Sequence, residues 1–466
     1  MYLPHNLLSK SYQPLESDTI WQKKNPVVLY THIPFCNNVC YCCIYNKYNT
    51  KGELVEKYLN ALKREIEIIG DKPHIQDSSI ISGYIGGGTP AVLSTEQLDG
   101  LLTHIEKHFD LKKDDPQFIL TVETTPHEMD EEKADMLRAH GIVRISMGAQ
   151  SFNTQLLRNI GRTHKGEDVK AVLEMLRKKG FPYICVDLMY GLPGQTLQNW
   201  EETMDEYLSV GADSLGIYPY LVIPNSKLYH DIQRGKLPPT PVQEELDEMF
   251  TLGVEKLLAN GYIAVTPNEL GKTTIENGED KWNNSDIKLY KFGKDDYRGV
   301  VVSTFPLTTH IAHSWYEGGD LLGIGSGSYG YFRDYWYLNE PDINKYVDML
   351  SKDELPVVAG SYLSAEEKIA RFMVMGTKFL KLLRKDFYAK FGVDMNAIYK
   401  KQLDQLIEWD LIEMDDDSIT VTYPKGWYYI DNINKTFYSK ANYRMPQTTL
   451  SNTNILHYLK KKGARN

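Results

Sequence analysis

The sequence predicts an α/β fold: a partial (β/α)6 barrel followed by a small, mainly helical C-terminal domain. Three observations carry this prediction. Six short β-branched or apolar runs recur at 27–32, 79–85, 118–123, 143–147, 183–189 and 214–218. Longer amphipathic runs at 53–69, 95–108, 131–140, 165–179 and 197–210 separate them, which is the pattern of βαβ units and a parallel sheet. Most residues able to do chemistry fall where a strand run ends, which is where such barrels place their sites.

Each element has a local reason. Ser94 with Gln97 forms a capping box that starts the helix at 95, and Gly180 closes the helix before it. Residues 268–310 break the rhythm with Gly, Asn, Lys and Asp, including Asn277-Gly278, and read as an insertion. A helix resumes after Ser364, capped by Glu367, and is expected to run towards Leu383. A further helix at 401–409 leads into a hairpin of 411–413 and 418–422. The expected organisation is a leader (1–25), the barrel (26–335), a winged-helix-like C-terminal domain (336–432, its compact part from 361) and a polar tail (433–466).

Composition narrows the function. The chain has 466 residues, 42% of them hydrophobic, so a large core needs no disulfides to hold it. Its 34 Gly and 21 Pro are ordinary usage, which excludes collagen-like and low-complexity classes. A formal charge of −10 argues against a phosphate-binding surface, and hence against nucleic acid as a partner. No run of 18 apolar residues and no charged-then-apolar leader occurs, so no membrane partner and a cytoplasmic location are expected.

Cysteine placement is the sharpest signal. Cys36, Cys40, Cys42 and Cys43 fall within eight residues, whereas Cys185 is isolated. A disulfide framework would spread cysteines to close loops, so the cluster points to a metal or cofactor in a reducing compartment. Cys36, Cys40 and Cys43 make a Cys-x3-Cys-x2-Cys pattern directly after the first strand run. Three thiolates so spaced can hold three irons of a [4Fe–4S] cluster and leave the fourth iron open to a ligand offering an amine and a carboxylate. Zinc would need a fourth ligand, and adjacent Cys42 and Cys43 rarely both reach one tetrahedral ion. Cys42 is then the spare, and Cys185 belongs to the core.

Other strand ends supply further candidates. The run Gly86-Gly87-Gly88-Thr89-Pro90 permits close backbone approach and is expected to leave N–H groups free for a ligand; a plain tight turn is the alternative. Glu123 ends the third run, Gln150 follows the fourth, and Asp187 sits among Val186, Leu188 and Met189. A carboxylate among apolar neighbours needs a partner, and Arg162 is suited to pair with a carboxylate. A structural ion pair is the alternative. His310 and His313 could line a substrate, but read more simply as surface histidines.

The segments YTHIPFC, GGGTP, RISMGAQSFN, VDLMYGLPGQT and DLLGIGSGSYGYF, in this order, resemble the radical S-adenosylmethionine superfamily, specifically its oxygen-independent coproporphyrinogen III oxidase family. The resemblance implies a [4Fe–4S] cluster and S-adenosylmethionine, two molecules per chain, with an electron donor such as flavodoxin or ferredoxin and a monomeric state. Matched position by position, it implies that Tyr30, Gly87 and Glu123 contact the cluster-bound S-adenosylmethionine, with Gly88 in the same loop. Thr89, Gln150, Arg162 and Asp187 match contacts to a second molecule, and Cys42, Leu221 and Tyr329 stand at further contact positions.

The oxidase's longer N-terminal stretch has no counterpart before Tyr30, and Tyr45 stands where the oxidase has a cysteine. CCIYNKYN is instead similar to the family's methyl-transferring and anaerobic haem-utilisation branches. The expected function is therefore radical chemistry on a tetrapyrrole, with methyl transfer ahead of propionate decarboxylation by a coproporphyrinogen dehydrogenase. Haem delivery by a chaperone and methylation of another aromatic or heterocyclic substrate are the alternatives.

Overall fold

The computed structural model describes residues 26–438 apart from 39, 42, 44–46, 51, 115–117, 225, 273–274, 277–278 and 281–318. The expected leader, Cys42, Tyr45, His310, His313, most of the expected insertion and most of the polar tail lie outside the described residues. Six parallel strands form the centre of one sheet: β1 (Pro26–Ile33), β2 (Ser79–Gly87), β3 (Ile119–Thr124), β4 (Arg144–Gln150), β5 (Tyr183–Tyr190) and β6 (Ser214–Pro219). Chain order is also spatial order. Between them run α1 (Leu54–Gly70), α2 (Thr95–His108), α3 (Glu131–Ala139), α4 (Gly166–Lys178) and α5 (Leu197–Val210).

The strand runs are legible because both faces are buried, as parallel sheets require. On β1, Val27, Leu29 and Ile33 pack into the main core with Tyr58, Leu62 and Ile66 of α1, while Val28 and Tyr30 join Leu321 and Tyr329 in a second cluster. The helices lie over the first of these faces. The capping boxes expected at Ser94–Gln97 and Ser364–Glu367 are both present.

The sheet is wider than six strands. On one side of β6, β7 (Tyr262–Thr266) and β8 (Glu269–Lys272) form an antiparallel hairpin, with β8 next to β6. Beyond β1 lie β9 (Asp320–Ile324), parallel to it, and then β10 (Tyr329–Phe332), β11 (Tyr335–Asn339) and β12 (Val357–Tyr362), all antiparallel. Two expectations are corrected. The break expected from 268 starts later, because Glu269–Lys272 is a sheet strand. The boundary at 335/336 cuts β11, whose aromatic residues pair with β10 across a turn with Arg333 and Asp334 both at positive φ. Such two-residue turns match the twist of a hairpin.

β9 is tied to α1 by Glu65. Gly325 N–H and Tyr346 Oη–H donate to its Oε2 (2.8 and 2.5 Å), and Asn339 Nδ2 donates to its Oε1 (2.7 Å). Tyr346 sits on a helix after β11 (Ile343–Leu350).

After β12 the C-terminal unit begins with a helix, Ala365–Thr377. It ends at Thr377 rather than running towards Leu383, because Lys381–Leu383 is a strand, β13, paired with β15 (Ser418–Val421), which also pairs with β14 (Ile412–Met414). The helix before β14 spans Met395–Glu408. The boundary at 432/433 falls inside the helix Ile430–Thr436, where Ile433 and the following Phe437 are buried in the core. Among the described residues no helix is long and apolar enough to cross a membrane.

Burial raises the Glu65 carboxyl to about 7, against the pull of its three donors. The native state therefore holds a proton that the unfolded chain releases above about pH 4.5. The contribution of this group is full below that pH and is lost as pH rises through 7. Glu65→Gln is expected to flatten this dependence, so that the stability difference between variant and parent changes by up to about 3 kcal/mol between pH 5 and 7.5. Urea unfolding at three pH values measures it, and parallel curves for the two proteins would refute it.

Candidate active site

The chain leaves β1 through Pro34 and reaches Cys36, which is buried; Cys40 and Cys43 are half-buried. A turn joins the last two, Cys43 N–H donating to Cys40 O at 3.2 Å. The loop is fastened to its neighbours at several points. Tyr41 N–H donates to Ile160 O (3.0 Å), Asn38 Nδ2 to Thr163 Oγ1 (3.1 Å) and Asn37 Nδ2 to the Glu128 carboxylate (3.0 and 3.1 Å). These contacts reach the loops that follow β3 and β4, so the thiols are held at the C-terminal end of the sheet.

The glycine turn does a different job from the one expected. Its N–H groups are not free: Gly87 donates to Glu123 Oε2 (2.9 Å), Gly88 to Ile33 O (2.8 Å) and Thr89 to Phe35 O (2.8 Å). The glycines are needed for closeness. A Cβ on Gly88 would lie 2.5 Å from Phe35 O, and Gly87 has φ +125°. Thr89 Oγ1 lies 3.7 Å from Cys36 Sγ, so the turn buttresses the first thiol.

Glu123 is the carboxylate at this end. Tyr84 Oη donates to its Oε1 at 2.7 Å and Gly87 N–H to its Oε2, while burial raises its pKa. Tyr30 Oη and His32 Nδ1 pair at 2.9 Å on the same inner side, and burial lowers His32 to about 4, keeping it neutral.

Gln150, Arg162 and Asp187 have spare polar capacity. A register shift at the end of β4 puts Gln150 at φ +67°, a conformation rare without glycine and a sign of strain. A Cβ on Gly148 would sit 2.9 Å from Gln150 Nε2 and 3.6 Å from Arg162 Nη2, so these two groups meet there. Arg162 makes no ion pair with a described residue, and its Nε is buried without a hydrogen-bond partner. The alternative reading of Arg162, a structural ion pair, is thus not observed among the described residues. Asp187 is contacted by Ser146 Oγ at 3.4 Å, and Gly216 makes room for it: a Cβ there would lie 2.4 Å from Asp187 Oδ1. Burial, reinforced by Glu123, raises Asp187 to about 7.

The cation facing these carboxylates is Arg144, which sequence reading missed. It is buried and pairs with Glu269 at 3.0 Å, 125 positions away. Its signal was present: Arg144, Ser146 and Gly148 alternate on β4, so an Arg in that series faces inward with them. Tyr84 is a second omission, found by the same alternation on β2. Tyr329 is buried beside Tyr30. Leu221, just past β6, is 55% exposed. Cys185 is buried, and burial raises its thiol to about 12.

The residues fit an iron–sulfur cluster and a zwitterionic ligand. Burial pushes the Cys36 thiol up to about 11, and its neighbours Cys43 and Cys40 add to this, so a thiolate there needs a cationic partner such as iron. The orphaned Arg162 Nε suits a ligand carboxylate.

Comparison with known proteins agrees with this chemistry. Residues 30–207 match the model of the radical SAM superfamily, and residues 363–429 match the HemN C-terminal domain. The chain is 31% identical over 395 residues to the heme chaperone HemW of Bacillus subtilis, covering 84% of this chain and 94% of that one. It is 28% identical over 404 residues to the oxygen-independent coproporphyrinogen III oxidase of Pseudomonas aeruginosa, covering 85% and 82%. It is 26% identical over 351 residues to the anaerobilin synthase of Escherichia coli O157:H7, covering 75% and 71%. The structure of coproporphyrinogen III oxidase (HemN) from Escherichia coli shares the fold, with a TM-score of 0.76, 23% identity and coverage of 92% and 94%. The chain belongs to the radical SAM superfamily, within the oxygen-independent coproporphyrinogen III oxidase-like family of HemN and HemW, a membership that implies a [4Fe–4S] cluster and S-adenosylmethionine.

Proposed function

We propose that Cys36, Cys40 and Cys43 hold the cluster, and that the protein is an enzyme acting on a tetrapyrrole with two S-adenosylmethionine molecules at the C-terminal end of the sheet. When bound, the cluster supplies the electron that breaks the sulfonium carbon–sulfur bond and releases a radical able to abstract hydrogen. The chain's own residues bind and orient. Tyr30, Gly87, Gly88 and Glu123 border the first molecule, and Glu123 offers a buried carboxylate to its ammonium. Arg162 offers unused donors to the carboxylate of the second, with Thr89, Gln150 and Asp187 around it and Leu221 and Tyr329 further out. The observation that carries this reading is the buried, unpartnered Arg162 Nε beside Gln150. A buried donor left unmatched costs about 1–3 kcal/mol, which a ligand carboxylate would remove.

Methyl transfer, ranked first on sequence, gains no support from the relatives, whose names refer to haem chaperoning, porphyrinogen oxidation and anaerobilin synthesis. Hydrogen abstraction from a porphyrinogen or haem is therefore preferred. Haem delivery is the second reading, favoured by the similarity to HemW over 94% of that protein's length.

Three measurements follow. Cys36→Ala, Cys40→Ala and Cys43→Ala are each expected to abolish cluster absorbance after anaerobic reconstitution, whereas Cys42→Ala keeps it; the reverse for Cys42 and Cys43 would overturn the ligand assignment. Equilibrium dialysis is expected to find two S-adenosylmethionine molecules per chain. Arg162→Met should weaken the second by about 10- to 100-fold, the loss of a charge-assisted bond, and one molecule per unmutated chain would refute the second site. Incubation with coproporphyrinogen or haem, reductant and S-adenosylmethionine should yield 5′-deoxyadenosine, methionine and a modified tetrapyrrole. S-adenosylhomocysteine among the products would restore methyl transfer, and stoichiometric haem binding without consumption of S-adenosylmethionine would establish delivery instead.

A further inference from the structure

The last turns of α1 and α2 lie side by side on the outside of the barrel. Gly70, ending α1, packs so closely on His108, ending α2, that a Cβ would lie 3.0 Å from the histidine Cβ. Both helices run back from the cysteine end of the sheet, so this contact is at the strands' N-terminal end. Here Glu67 of α1 and His104 and His108 of α2 each bring one ligand atom to within 4.8 Å of the others, and all three side chains are half-buried.

The arrangement is more than proximity. His104 and His108 are four residues apart, so their rings share a helix face, with centroids 4.6 Å apart. Arg64 donates to Glu67 Oε2 at 2.9 Å, while Glu67 Oε1 lies 3.5 Å from His104 Nε2, a nitrogen that also pairs with Lys63 O at 3.1 Å. One oxygen is therefore anchored and the other faces the His104 ring. His108 Nε2 is buried with no hydrogen-bond partner, a cost that coordination would remove. Two helix C-termini converge here, and their partial negative charge favours a cation. The Arg64 charge opposes one, but its Nε donates to Asp353 Oδ1 at 2.7 Å, which offsets part of that charge.

We propose that Glu67, His104 and His108 form a site for one zinc-class divalent cation at the opposite end of the barrel from the cysteines. Two imidazoles and a carboxylate are a donor set that zinc takes, with a fourth position left for water. The ion would cross-link α1 to α2.

The test titrates zinc chloride into the cluster-loaded protein under anaerobic conditions, against a chromophoric zinc chelator, while cluster absorbance is followed. One zinc per chain is expected with cluster absorbance unchanged, together with a rise in Tm. His104→Ala and His108→Ala should each weaken binding on the order of 100-fold and abolish the Tm rise, and Glu67→Gln should weaken it less. Unchanged cluster absorbance in the variants shows that they are folded. Absence of zinc binding, equal binding by the histidine variants, or binding only as cluster absorbance falls (zinc at the cysteines) would each overturn the proposal.

Discussion

The site depends on a backbone clamp between the ends of β1 and β2. Gly88 N–H donates to Ile33 O and Thr89 N–H to Phe35 O, both at 2.8 Å. These bonds extend the pairing of the two strands past their regular ends, so Cys36 is set by the sheet and not by a free loop. The clamp closes only if residue 88 has no side chain, since a Cβ would meet Phe35 O at 2.5 Å. Gly87 then turns its N–H onto Glu123. One short segment thereby fixes the first thiol, its Thr89 neighbour and the carboxylate on the next strand.

From that clamp the inner face of the barrel follows by strand pairing. Glu123 is in register with Ser146, and Ser146 with Cys185; Gly148 pairs with Asp187, and Asp187 with Gly216, which pairs with Glu269. Small residues, Gly148 and Gly216, alternate with charged ones: Gly148 leaves room for Gln150 and Arg162 to meet, and Gly216 leaves room for Asp187. Burying several carboxylates this way is costly unless they are paired or protonated. The chain does both: Arg144 pairs with Glu269, and Asp187 is raised to about 7.

How much of this was readable divides along physical lines. The six central strands and five helices stand out because burial on two faces or along one stripe forces a period into the sequence. The Cys36–Cys43 spacing is equally plain, being set within one loop. The outer strands were missed: Tyr329–Asn339 is a run of aromatics whose turn is Arg333-Asp334, not the Asn-Gly that signals a hairpin. The glycine turn was located but its two readings could not be separated, because close approach and free N–H groups call for the same residues. Only the partner strand distinguishes them. Arg144 and Glu269 could not be joined by sequence, since their pairing depends on the hairpin that brings β8 beside β6. Nothing local marks Gln150 as left-handed; the register shift that turns it is a property of two strands.

The same charge pattern constrains what the interior accepts. With Arg162 making no ion pair to a described residue and Asp187 and Glu123 both raised by burial, this end of the sheet carries fewer net negative charges than its composition suggests. A ligand carrying a carboxylate and a cationic centre reverses that balance at both ends. A ligand carboxylate would satisfy the Arg162 donors, and a ligand cation beside a buried acid would favour its ionised form, drawing the proton from it. A purely anionic molecule would gain only the first of these, and a neutral one neither. A guanidinium without an ion pair among the described residues, beside carboxylates whose pKa burial raises, therefore favours a zwitterion over a neutral or purely anionic molecule.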